Sequence, residues 1–139
     1  MYPAYKLKIV LQSGIKIGNF FRFKDSLPYY LRSLVVYQFT CDDCNVVYIG
    51  KTKRHFKIRA CEHLGIGCKT GKTHKYNASN ATVVRQHLHN SKHTSDIKSF
   101  KILSSAKNDF ELLLKESLLI GSLTPQLNKQ VKSFQLELF

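Results

Sequence analysis

The alternation of apolar and polar positions sharpens at Leu34. Leu34-Val35-Val36-Tyr37-Gln38-Phe39 is β-branched and aromatic, the composition of a strand. Cys41-Asp42-Asp43-Cys44-Asn45 has a turn composition, and Val46-Val47-Tyr48-Ile49 reads as a second strand stopped by Gly50. Two strands across a short polar turn predict a hairpin. Thr52 is placed to cap a helix that runs to about Leu64, where Gly65 and Gly67 end it. A polar, basic loop follows over 65–79, and Ser79 or Asn80 caps a second helix to about Asn90. Phe100-Lys101-Ile102-Leu103 is a third strand. Asp109 then caps a helix from Phe110 to about Ser122, which Pro125 keeps from continuing. The order β-β-α-α-β-α predicts an α+β domain, a small three-stranded antiparallel sheet flanked by helices.

The 139 residues argue for one domain. Residues 1–33 mix aromatic and basic side chains around Gly14, Gly18 and Pro28 with neither period, and read as a lead-in or linker to a domain over 34–139. A hydrophobic fraction of 43% excludes a disordered tail. No apolar run reaches the ~18 residues of a membrane span, and the start lacks a secretory apolar core. An intracellular, nuclear location with no membrane partner is therefore expected. Lys+Arg 22 against Asp+Glu 9 gives +13, a self-repulsion that an anionic partner relieves, nucleic acid foremost. The four cysteines are expected to be free thiols or metal ligands, not disulfides. Cys61 reads as core and Cys68 as a loop thiol.

Four groups of residues stand out as candidate chemistry. On the third helix, Leu112, Leu113, Leu119, Ile120 and Leu123 lie within about 60° of Glu116 at helical spacing. A carboxylate in an apolar stripe requires a cation, either a Lys/Arg partner or a divalent metal. Glu111 points to the polar side. Arg59 and His63, one turn apart, sit at the margin of the Phe56, Ala60, Leu64 stripe, either as solvated bases or as a phosphate clamp with a histidine beside it. Lys51, Lys53, Arg54, Lys57, Arg59, Lys69, Lys72 and Lys75 face a single acid, Glu62, in their stretch of chain, a density suited to phosphate-backbone contact. Cys41-x2-Cys44 has metal-ligand spacing, and His87-x5-His93 and His89-x3-His93 both complete a Cys2His2 set. Spacing does not choose between His87 and His89.

These residues resemble the GIY-YIG nucleases. Tyr37, then Tyr48-Ile49-Gly50 eleven positions on, is similar to the family's paired motifs, although Val35-Val36 stands where Gly-Ile is usual. Thr52 with Arg59-x3-His63 is similar to its first helix. Glu116-x3-Ile120 before Pro125-x-Leu127-Asn128 resembles its distal acid and closing motif. Cys41 and Cys44 between the tyrosine motifs, with His87-x5-His93 behind them, resemble the endonuclease domain of Penelope-like retroelements, and Asn19-Phe20-Phe21-Arg22-Phe23-Lys24-Asp25 looks like the sequence that precedes it. The resemblance favours His87 over His89.

It implies a metal-dependent DNA endonuclease, nicking DNA to prime reverse transcription, with an upstream reverse transcriptase domain as partner. Glu116 would hold one Mg2+ or Mn2+, and Arg59 would contact the scissile phosphate. Tyr37, ionised or relayed through His63, would take the proton from water, with Tyr48 holding the network and Asn128 orienting the site. Cys41, Cys44, His87 and His93 would hold a structural Zn2+. Lys51, Lys53, Arg54, Lys57, Lys69, Lys72 and Lys75 would contact DNA. The alternative reading is a zinc-stabilised nucleic-acid-binding module without catalysis.

Overall fold

The computed structural model describes residues 26–128. The segment Asn19–Asp25 and residues 129–139 lie outside the described residues. Strand β1 (Val35–Thr40) is central, flanked by β2 (Val47–Thr52) and β3 (Phe100–Ser105), both antiparallel to it. Helices α1 (Phe56–Leu64) and α2 (Val83–Ser91) come between β2 and β3, and α3 (Asp109–Leu123) follows β3. The α+β class and the three-stranded antiparallel sheet match the sequence expectation.

The sheet is covered on both faces, and its period of two sorts the side chains accordingly. Val35, Tyr37 and Phe39 point to one face, where Phe56 and Ala60 of α1, Val84 of α2 and Phe100 close a fully buried cluster. Val36 and Ile49 point to the other, against Leu112 of α3. Burying β1 on both sides accounts for its nearly continuous apolar sequence.

Several boundaries differ from the sequence reading, each for a local reason. Gly50 does not stop β2; it lies inside the strand, opposite Tyr37. A Cβ there would stand 2.7 Å from the Tyr37 hydroxyl and 2.8 Å from the Tyr48 ring, so only glycine lets the two tyrosines meet over this strand. Thr52 belongs to β2, its hydroxyl accepting from the Arg54 amide at 3.1 Å, and α1 instead starts after His55. His55 is held by Nδ1–H donation to the Leu31 carbonyl at 2.7 Å. Thr82, not Ser79 or Asn80, caps α2, and Asn108, not Asp109, caps α3 by accepting from the Glu111 amide at 2.8 Å. Leu113 and Leu123 of α3 are exposed, so the apolar stripe is narrower than helical spacing implied; α3 meets the sheet mainly through Leu112, Leu119 and Ile120.

The expectation of unpaired cysteines fails for one pair. Gly65 caps α1 in the left-handed conformation, φ 68°, and turns the chain back along the helix. This brings Cys68 to Cys61, with Cα atoms 5.7 Å apart, and the two are joined as a disulfide. A turn of this kind was not visible in a spacing of seven residues.

The outer edge of β2 is sealed by the turn after α3. Asn128, buried, accepts from the Ile49 amide at 2.9 Å and donates to its carbonyl at 2.7 Å, while Gln126 accepts from the Val47 amide at 3.0 Å. Gly50→Ala is expected to cost about 1–3 kcal/mol through overpacking against the two tyrosines. Urea denaturation checks this, and an unchanged midpoint would mean that the rings move aside freely.

Candidate active site and metal centre

Because β1 and β2 pair with Tyr37 opposite Gly50, the Tyr37 side chain reaches over β2 toward the last two turns of α1. There its hydroxyl lies 2.7 Å from His63 Nε2 and accepts from Arg59 Nε at 3.2 Å. His63 Nδ1 lies 2.7 Å from the hydroxyl of Thr82, the α2 cap. The Tyr48 ring stands beside both Tyr37 and His63, at centroid separations of 6.4 and 5.5 Å.

Proton assignment follows from donor accounting. With Arg59 donating to the Tyr37 oxygen, the Tyr37 proton has one acceptor in reach, His63 Nε2. Nδ1 therefore carries the imidazole proton and donates to Thr82. Both Tyr37 and His63 are completely shielded from solvent. Burial, with Arg59 adding to it, pushes the His63 pKa down to about 3, so the ring is neutral at physiological pH. Burial likewise raises the Tyr37 pKa, with the neighbouring Tyr48 adding and Arg59 pulling only partly the other way. Tyr48 is also raised, by burial first. The cations around Tyr37 thus do not bring it toward ionisation.

Arg59 is held on its other side by Glu62, whose carboxylate accepts from Arg59 at 3.0 Å and pairs with Arg54 at 2.7 Å. Burial works against the Arg59 charge, but Tyr37 and Glu62 beside it raise its pKa above the ordinary arginine range. The two arginines in turn outweigh partial burial and keep Glu62 below the usual carboxylate range. Arg59 and Thr82 line a groove of about 290 Å³ between α1, the following loop and α2.

Glu116 lies on α3, the helix covering the opposite face, and reaches this network through its charge and not through a hydrogen bond among the described residues. Its half-buried carboxylate pairs with Lys51 of β2 at 2.7 Å, and its charge raises both tyrosine pKa values. Asn128 is committed through both polar atoms to the Ile49 backbone, so it acts on the site by fixing β2 under Tyr48 and Gly50. Of the basic residues expected to face DNA, four have partners within the chain. Lys51 is paired with Glu116, Lys53 with Asp109, Arg54 with Glu62, and Lys57 lies 5.8 Å over the Tyr30 ring. Lys69, Lys72 and Lys75 are exposed on the loop after α1, and none has an acidic partner among the described residues.

The hairpin turn and the end of α2 form a second cluster. Cys41, Cys44, His87 and His93 place one ligand atom each within 4.8 Å of the others, an arrangement able to hold a metal ion. Cys41 Sγ is 3.5 Å from His93 Nδ1, and Cys44 Sγ is 3.4 Å from His87 Nε2. Asn45, in the left-handed conformation, closes the turn by donating to the Cys41 carbonyl. His89 faces elsewhere, stacked on Tyr76 at 3.7 Å, which decides between the two histidines that spacing left open. Burial, then the adjacent His93, lowers the His87 pKa and so favours the neutral form that ligates.

Thr82 and Arg85 went unremarked in the sequence. A Thr-x-x-Arg at a helix start resembles any cap, and the Thr82 contact to His63 exists only in three dimensions. Comparison with family models, curated proteins and solved structures gives no match for this chain.

His63 makes stability pH-dependent. The unfolded imidazole, ordinary pKa 6.5, binds a proton that the folded one refuses until about pH 3. Stability is therefore fully present above the unfolded value and falls as pH drops from 6.5 toward 3, with a slope approaching about 1.4 kcal/mol per pH unit. Urea titrations across that window are expected to show His63→Gln with a shallower slope than the parent. Identical slopes would mean that His63 is not held neutral.

Proposed function

We propose that the chain is a metal-dependent DNA endonuclease of the GIY-YIG type. The observation that carries this reading is the convergence of Tyr37, Tyr48, Arg59 and His63, from two strands and a helix, into one hydrogen-bonded and ring-packed group beside a groove. A net charge of +13 supports a polyanionic substrate.

In this reading Arg59 turns from Glu62 to a phosphate oxygen and neutralises charge that grows in the transition state. Because Tyr37 is shielded in the folded chain, this reading requires the turn of Arg59 to open the Tyr37 hydroxyl to the groove. Tyr37 then takes the proton of an attacking water as its own passes to His63 Nε2, and Thr82 holds the imidazole in the tautomer this requires. Burial disfavours both the phenolate and the imidazolium, so the transfer is concerted with attack on the phosphate and neither charge stands alone. Tyr48 and Gly50 keep the Tyr37 ring in place, with Asn128 holding the strand beneath them. Glu116 fits a divalent ion of the magnesium type, which takes one or two carboxylates and completes its shell with water and phosphate. The carboxylate is paired with Lys51 at 2.7 Å, a contact that such an ion would replace. When bound, the ion would supply Lewis-acid stabilisation of the leaving oxygen.

The same Lys51–Glu116 pair favours the second reading, a nucleic-acid-binding module in which Glu116 is a structural ion-pair partner. Plasmid nicking with Mg2+ separates the two. Glu116→Ala is expected to abolish nicking, and Arg59→Ala to reduce it by about 10²-fold or more. Nicking retained in pure preparations of both variants would remove the mechanism.

For the second cluster we propose a structural zinc. A tetrahedral ion with Zn–S about 2.3 Å and Zn–N about 2.05 Å separates S and N by about 3.6 Å, close to the observed pairs. Two thiolates and two imidazoles leave no open position, so the ion would tie the β1–β2 turn to the end of α2 and hold both tyrosine strands in register. Purified protein is expected to carry about one equivalent of zinc, lost in Cys41→Ser together with thermal stability. Elemental analysis showing no metal would leave the four as ordinary side chains.

A further inference from the structure

The loop after α1 makes a cavity with α2 as well as carrying lysines. Ile66 and Thr73 bridge antiparallel, and Arg85 of α2 donates to the carbonyls of His74 at 2.7 Å and Lys75 at 3.1 Å, pinning the loop down. Beneath it lies a space of about 340 Å³. Its apolar floor is Leu64, Ile66 and Leu88, and the Tyr76 and His89 rings, parallel to within 4°, border it. Among the described residues no carboxylate lines it. Ser95 contributes to its wall, and the Ser95 hydroxyl is buried with no hydrogen-bond partner among the described residues. Arg85 and Ile66 also line the groove that contains Arg59 and Thr82, so the two concavities share a wall.

We propose that this cavity is a subsite for one unpaired nucleobase of the DNA strand whose phosphate lies in the Arg59 groove. The proposal rests on the nucleic-acid reading above and adds a substrate feature to it, a base withdrawn from its stack next to the scissile position. A base has flat apolar faces and a polar edge. The cavity offers an apolar floor, an aromatic pair for stacking, and the polar side chains of Thr73 and Thr94 for the edge. A phosphate fits less well than a base, because the floor is apolar and Arg85 is the one guanidinium in the lining, with its Nη2 donated to two backbone carbonyls. The exposed Lys69, Lys72 and Lys75 on the same loop supply the backbone contacts that deliver a strand to this mouth.

The test uses the full chain with its metal centre intact and a short single-stranded DNA carrying one 2-aminopurine, whose fluorescence falls on stacking. Saturable quenching is expected, with Tyr76→Ala weakening affinity about tenfold and Tyr76→Phe retaining it. The Tyr76→Ala factor should be equal at about 50 mM and about 200 mM salt, whereas Lys72→Ala should weaken binding at the lower salt only. Tyr76→Ala must keep the parental thermal midpoint; if it does not, His89→Ala, which removes the exposed other ring of the pair, serves as the reading and is expected to weaken quenching and affinity likewise. Strand binding without quenching, or quenching unaffected by Tyr76→Ala, overturns the subsite. Nicking measured in parallel separates the two claims. Quenching that depends on Tyr76 in a protein that does not nick keeps the subsite and removes only the nuclease.

Discussion

The hydrogen bond between Tyr37 and His63 governs the arrangement of the molecule. It joins the central strand to α1 inside a region closed to solvent, where an unmade polar contact costs more than the bond itself contributes. Because His63 donates its Nδ1–H to Thr82, the same chain of bonds reaches the cap of α2. Three elements thus meet through polar atoms inside an otherwise apolar cluster. Each has to sit in one register for the donors and acceptors to pair, and this register presents Arg59 to the groove.

A second constraint is electrostatic. Each charged group of the candidate site has a partner of opposite sign within the chain. Arg59 has Glu62, Glu62 has Arg54 as well, and Glu116 has Lys51. These pairs are partly exposed, so each contributes little to stability and exchanges readily for an external ion. A polyanion or a divalent cation would take over contacts that the folded chain already satisfies internally.

Much of this was legible in the amino-acid order. The β-branched run at Leu34, the turn composition at Cys41–Asn45 and the long apolar third helix gave strands, hairpin and helix their places, since these depend on neighbours along the chain. What escaped depends on neighbours in space. Gly50 reads as a strand terminator by propensity, and only the meeting of two tyrosine rings over it explains its position inside the strand. The caps moved by one to three residues because Thr82 and Asn108 compete with equally suitable polar residues beside them. Cys61 and Cys68 look unrelated until Gly65 folds one onto the other. In the site, Arg59 and His63 share a face as their spacing suggested, and Tyr37 and Tyr48, which only the resemblance brought to the same place, lie against them. Asn128 turns out to bind backbone, and Glu116 occupies a separate layer beside Lys51.

The way Asn128 and Gln126 occupy the outer margin of β2 bears on association between molecules. A side strand of a small sheet offers unpaired amides on which a second chain can add itself. Here the Val47 and Ile49 amides are consumed by two side chains from beyond α3. At the other margin the Ile102 amide of β3 is likewise taken up, by the Tyr29 hydroxyl. A polypeptide cleaved ahead of Pro125 would uncover the β2 margin and gain an adhesive border.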